Sequence, residues 1–290
     1  MVKIHVKRGD ENRFLFETNC GVSLNELTTQ LARLHNGMLK VSRLCQEIEL
    51  LADHGVLIPP QMQGLTDEQV SELHLIDEWV EKCVPSGGSV ECADPVGRRN
   101  GKAPNEKMKE VLRRTVSEAK AAISKDLVEA NVCMTEATIK DTLDKLSGAV
   151  TIVYPMGLPP HDPIRMEFEG TEDLTGTQAS KEVLDEATAQ LWWAGKELTR
   201  EKSLGDFIGK NEKTKIIAKL QKKGQGAPGR EPVFSEEEKK QMMFHAYHRQ
   251  EELKKLETTN EDQYLNSEWS DPHALKKQFT GLGNISWRPK

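Results

Sequence analysis

The chain has 290 residues, enough for one large domain or two modest ones. It carries 40 lysines and arginines against 46 acids, a net charge of -6, which argues against a general nucleic-acid binder needing positive potential over a broad face. With 37% hydrophobic, 5% aromatic and 30% charged residues, it describes a lean soluble protein with one compact core plus extended helices or tails. No apolar run approaches the ~18 residues that a membrane span needs, and no membrane partner is expected.

The start, MVKIHVKRG, is charged and strand-like, so no secretory signal is expected. Val2, Ile4 and Val6 alternate with Lys3, His5 and Lys7, the period of a half-buried strand. Gly9-Asp10-Glu11-Asn12 supplies turn chemistry, and RFLFET repeats the alternation, which predicts a hairpin. Ser23 and Glu26 have the spacing of a capping box. Leu24, Leu27, Leu31 and Leu34, then Val41, Leu44, Ile48 and Leu51, predict an amphipathic helix ending at His54-Gly55. Gly37 marks a candidate kink or break, since glycine costs about 1 kcal/mol relative to alanine inside a helix.

Pro59-Pro60 ends that pattern, and a helix is predicted from Thr66 to about Cys83. Residues 84–105, rich in Gly, Pro and polar residues, are read as a mobile surface loop. Helices are predicted from Glu106 to about Ala130 and from Thr135 to Leu146. The β-branched AVTIVYP at 149–155 and IRMEFEG at 164–170 read as strands. The resulting expectation is an α+β fold: an interrupted ubiquitin-like β-grasp module with a helical insertion, then a mostly helical C-terminal half with an extended tail. Its parts are residues 1–55 plus 148–172 for the module and 56–147 for the insertion. A helical region at 173–257 and a tail at 258–290 complete it. Two unrelated hairpins in a mostly helical protein are the alternative.

Downstream, Leu184, Ala187, Leu191, Ala194 and Leu198 make a helical stripe. Trp192 and Trp193, successive positions about 100° apart on such a helix, cannot share one core face, so one must pack elsewhere or against a partner. Residues 196–230 hold ten Lys or Arg against four acids, a local balance of +6 that leaves -12 for the rest. Lys215, Lys219, Lys222 and Lys223 read as one charged helical face, suited either to solubility or to an acidic partner. Ser235 and Glu238 match a second capping box, for a helix to about Leu256. Trp269, Phe279 and Trp287 stand in a broken tail, where they either fold back or enter pockets on another protein.

Candidate chemistry is sparse. The loop GQGAPGR at Gly224–Arg230 lacks the preceding strand and the Lys-Ser or Lys-Thr ending of a phosphate cradle, and reads as a helix end with a linker. His245 and His248 stand three apart on a predicted helix, but a metal site needs at least a third ligand. The five cysteines have neither disulfide-framework nor C-x-x-C spacing and read as reduced thiols, with oxidation between Cys83 and Cys92 as an alternative. No catalytic, cofactor or metal set is expected.

The stretches MVKIHVKRGDENRFLFET, AVTIVYPMGLPPHDPIRMEFEG, LWWAGKEL, SLGDFIGKNEKTKIIAKLQKKGQGAPGREP and the tail WSDPHALKKQF…WRPK together resemble the Kurly family of cilia- and flagella-associated proteins over essentially the full length. The resemblance implies a non-enzymatic protein acting in axonemal dynein-arm assembly, ciliary motility and cilium orientation. It implies locations in the cytoplasm, basal body and motile cilium. Dynein-arm assembly factors or axonemal dynein components are the implied partners, with tubulin as a further acidic candidate. A stable axonemal component is the alternative, and a metalloprotein using His245 and His248 a second.

Overall fold

A computed structural model describes residues 1–65, 67–229 and 236–266. They fall into two units, Met1–Arg230 and Glu231–Lys290. In the first, β1 (Val2–Arg8) and β2 (Glu11–Thr18) form the expected hairpin and α1 (Leu24–His54) follows. Next come α2 (Asp67–Glu72), α3 (Trp79–Lys82), β3 (Ser89–Glu91), β4 (Lys102–Pro104), α4 (Glu106–Ala122), α5 (Asp126–Glu129), α6 (Glu136–Val153), α7 (Pro163–Glu169) and α8 (Gln178–Glu182). The unit closes with β5 (Gln190–Trp193), β6 (Lys196–Glu197), α9 (Gly205–Ile208) and β7 (Lys215–Gln221).

The main sheet has the order β2-β1-β7-β5-β6. β1 pairs antiparallel with β2 and parallel with β7, while β7 and β6 each pair antiparallel with β5. The inner face carries Val2, Ile4 and Val6 from β1, Ile216, Ala218 and Leu220 from β7, and Leu191 from β5. These join Leu24, Leu27, Leu31 and Leu34 of α1 in one continuous core. Each buried Val, Leu or Ile among them contributes about 1.5–3 kcal/mol. The second half of α1 packs on α4, α6 and α7. Arg43–Glu167 at 2.7 Å, Arg113–Asp53 at 2.6 Å and Lys120–Glu49 at 2.6 Å tie α1 to these helices.

Several expectations fail, each for a physical reason. The strand expected at 149–155 is largely the end of α6, because Leu146, Ala149, Val150 and Val153 continue a helical stripe that starts at the Thr135 cap. The strand at 164–170 is α7, started by Asp162, whose carboxylate accepts from Ile164 N at 3.0 Å, with Pro163 in the first turn. The module therefore does not close with 148–172. The helix expected at 184–198 is absent: Asp185 makes an Asx turn, and Arg200 Nη2 takes the carbonyls of Glu186 and Ala189. Residues 190–197 form a tight hairpin, with Ala194 and Gly195 both at positive φ (49° and 77°). The lysine-rich helix expected after Lys213 is β7, a central strand bonded on both sides. The predicted helix 66–83 is split into α2 and α3.

The loop read as mobile contains the β3–β4 hairpin and a buried arginine. Arg99, 5% exposed, donates to Gly55 O at 2.8 Å and to Glu47 Oε2 at 2.6 Å. Gly55 sits at φ 80°, and a Cβ there would run into Lys102 O and Asn100 Oδ1, so no side chain fits. α1 runs unbroken through Gly37. Ser23 makes no side-chain cap; its backbone is bridged to Ser203, and Leu24 N donates to Lys202 O at 3.0 Å.

The second unit is described for α10 (Glu236–Asn266), longer than expected. The Ser235 cap lies outside the described residues.

Candidate docking face

Alternation along β1 and β7 leaves one face of the sheet turned from the core. It carries Lys3, His5 and Lys7 on β1 and Lys215, Ile217 and Lys219 on β7. In the parallel register Lys3 is beside Lys215, His5 beside Ile217, and Lys7 beside Lys219. Lys3 and Lys215 thus put like charges side by side on one face. Glu17 on β2 is the register partner of Lys3.

The face is framed on both flanks. On the β2 side, α5 packs against the strand, Met134 N donates to Leu15 O at 2.7 Å, and Lys215 Nζ reaches Asn131 Oδ1 at 3.4 Å. On the β5 side the glycine-rich segment after β7 folds back. Lys219 Nζ donates to Gly229 O at 2.9 Å, and Gln221 Nε2 donates to Gly226 O. Gly224 and Gly226, at φ 93° and 74°, permit the reversal. Lys219 also pairs with Asp10 at 3.5 Å and is only 7% exposed. Between the flanks lies an open lane where Ile217 is 40% exposed.

The two tryptophans part across β5. Trp193 packs on the core beside Ala218, whereas Trp192 is opposite Lys219 on the outer face. Trp192 Nε1 is enclosed and has no hydrogen-bond partner among the described residues. An orphaned buried donor costs ~1–3 kcal/mol.

Lys222 Nζ donates to Ser180 O at 2.9 Å, while Lys223 is exposed. The four lysines therefore do not form one helical row: Lys215 and Lys219 share a strand face, and Lys222 and Lys223 lie beyond its end. Trp269, Phe279 and Trp287 lie outside the described residues. The preceding strand denied to GQGAPGR does exist, but the segment follows it as a fold-back clamped by two side chains. His245 and His248 are exposed on α10, with the His248 ring 4.9 Å from Phe244, and no group of three or more metal-ligating side chains occurs among the described residues. The five cysteines are free thiols.

Sequence reasoning missed Lys3, Lys7 and Ile217 as parts of this face. The β1 alternation already put Lys3 and Lys7 on one face, but the period-2 alternation of Ile216, Ala218 and Leu220 that puts Ile217 beside them was obscured by the lysine spacing.

The protein is a mixed α+β fold with a mixed sheet, one face of which carries Lys3, Lys7, Lys215 and Lys219. The family model for cilia- and flagella-associated protein 298 matches residues 189–285, from just before β5 through α10. Proteins of that name from Danio rerio and Homo sapiens are 64% and 63% identical over 290 residues, covering 100% of both chains. The Drosophila melanogaster protein is 50% identical over 288 residues, covering 99% of each. The chain belongs to the cilia- and flagella-associated protein 298 family. No solved structure matches it.

Proposed function

We propose that the protein is a non-enzymatic docking component of motile cilia, acting in axonemal dynein-arm assembly, ciliary motility and cilium orientation by binding other proteins. The ciliary part rests on the names of its full-length relatives. The dynein and orientation parts rest on the resemblance carried by the stretches quoted above. It works in the cytoplasm, at the basal body and in the cilium, with dynein-arm assembly factors or dynein components as partners.

The sheet is read as a ubiquitin-like β-grasp module. What supports this is the order β2-β1-β7-β5-β6 with a central parallel pair, and a long helix directly after the first hairpin. Its two halves, 1–54 and 190–221, are separated by the helical insertion.

The observation that carries the docking role is Lys3 beside Lys215 on the outer face, next to the exposed Ile217. Like charges held side by side are relieved when an acidic partner sits across them. A Lys3→Glu, Lys215→Glu double variant is expected to lose partner capture from ciliated-cell extract at low salt while keeping the wild-type melting temperature. Undiminished capture by that variant would remove the face from consideration. A stable axonemal component is the other reading, and it gains if the protein stays on detergent-washed axonemes in high salt.

A further inference from the structure

α10 is a 31-residue helix on which no described side chain is buried. Met243, Phe244 and Tyr247 are 71%, 67% and 62% exposed. Helices in proteins draw most of their stability from burying such a face. Lys240, Met243, Tyr247 and Glu251 follow one another at steps of three, four and four, so they share an arc of about 80°. Phe244 borders that arc on the Glu251 side. Glu238, Lys254 and Lys255 have contacts of their own, whereas no ion pair among the described residues engages Lys240 or Glu251.

The stripe has a direction. From its N-terminal end it reads base, methionine, tyrosine, acid. Turned end for end it reads acid, tyrosine, methionine, base. Laid on its own reverse, Lys240 comes level with Glu251, and Met243 and Phe244 come level with Tyr247, all centred on residues 245–246. Laid on itself in the same direction, each charge meets its own copy.

We propose that α10 docks antiparallel on α10 of a second copy of this chain, through that stripe. The pairing is isologous, so each contact is made twice. Met243, Phe244 and Tyr247 of both copies form its apolar centre, and a Lys240–Glu251 ion pair closes it at each end. Met242, Arg249, Leu253 and Leu256 lie on the other side of the helix and take no part. This pairing goes beyond the docking-face reading and does not rest on it.

Sedimentation velocity of the full chain under reducing conditions tests it, and is expected to show a concentration-dependent monomer–dimer equilibrium. Lys240→Glu sets acid against acid at both ends of the contact and is expected to weaken the dimer about tenfold. Glu251→Lys is expected to do the same. The two changes in one chain restore opposite charges and should return the wild-type dissociation constant. The two single variants, mixed, should pair with each other. Leu256→Gln, on the far side, should leave the constant unchanged. Circular dichroism follows helix content in each variant, and a weakening that came from lost helix would deepen in the double variant rather than cancel. In a parallel pair each charge faces its own copy, so a single reversal changes nothing. A chain that stays monomeric at every concentration, a dimer indifferent to Lys240→Glu, or a double variant weaker than either single one overturns the proposal.

Discussion

Gly37 of α1 lies so close to Ile139 of α6 that a Cβ at position 37 would stand 2.9 Å from the Ile139 Cγ2 and 3.1 Å from its Cδ1. The glycine that looked like a break is the point where two helices touch. Gly37→Ala gains about 1 kcal/mol of helix propensity but overpacks the contact by ~1–3 kcal/mol, so a net loss of about 1 kcal/mol is expected. Adding Ile139→Val should recover that loss in urea unfolding. A double variant no more stable than Gly37→Ala alone contradicts the contact.

His35 is buried beneath Arg8, whose guanidinium lies 3.1 Å from Nε2. Burial, with Arg8 and Arg13 nearby, lowers its pKa to about 4. A base depressed in the folded state is protonated first in the unfolded chain. Its contribution is therefore intact above about pH 6.5 and is lost as pH falls toward 4, by up to ~3 kcal/mol. Burial pushes the carboxyls of Asp162 and Glu167 upward, and each then favours the folded state as acid is added, opposing His35. His35→Gln keeps an acceptor for Arg8 and should flatten the acid side of the stability profile. An unchanged slope between pH 6.5 and 4 would count against the assignment.

Arg99 fastens the β3–β4 loop to the C-terminal end of α1 through Gly55 and Glu47. Its removal strands an acceptor and a partly buried carboxylate, so Arg99→Met is expected to cost about 3 kcal/mol. Arg99→Lys keeps the charge but not the fork, and should still lose about 1–2 kcal/mol. Limited proteolysis should then cut within residues 84–105, which the wild-type fold protects.

Tyr154 ends α6 with its hydroxyl buried and unpaired among the described residues. Tyr154→Phe keeps the ring and removes the orphan, so stability should rise by about 1 kcal/mol. A loss of similar size in thermal melts would mean that the hydroxyl has an acceptor.

The first hairpin and α1 were legible because each side chain there answers to one period and one face. The rest was hidden by competition between signals. The β-branched run at 149–155 favours strand locally, yet it continues a helix already capped at Thr135, and packing against α1 and α4 decides it. In β7 the lysines at 215, 219 and 222 imitate a helical face while Ile216, Ala218 and Leu220 alternate beneath them. Trp192 and Trp193 were correctly separated, though on a strand, where neighbours point to opposite sides. The clamp on the glycine loop could not be read at all, since it depends on β7 being a strand.

The place of β7 at the middle of the sheet has a consequence for synthesis. β1 is made first, but its parallel partner emerges only after about 200 further residues, roughly 10–40 s later on the ribosome. Through that interval one side of β1 offers unpaired backbone groups to any passing strand. The nascent chain therefore needs shielding that the finished protein does not. A stop codon anywhere before Lys215 deletes the centre of the sheet rather than its margin, and the long helix made early is left with half a surface to lie on.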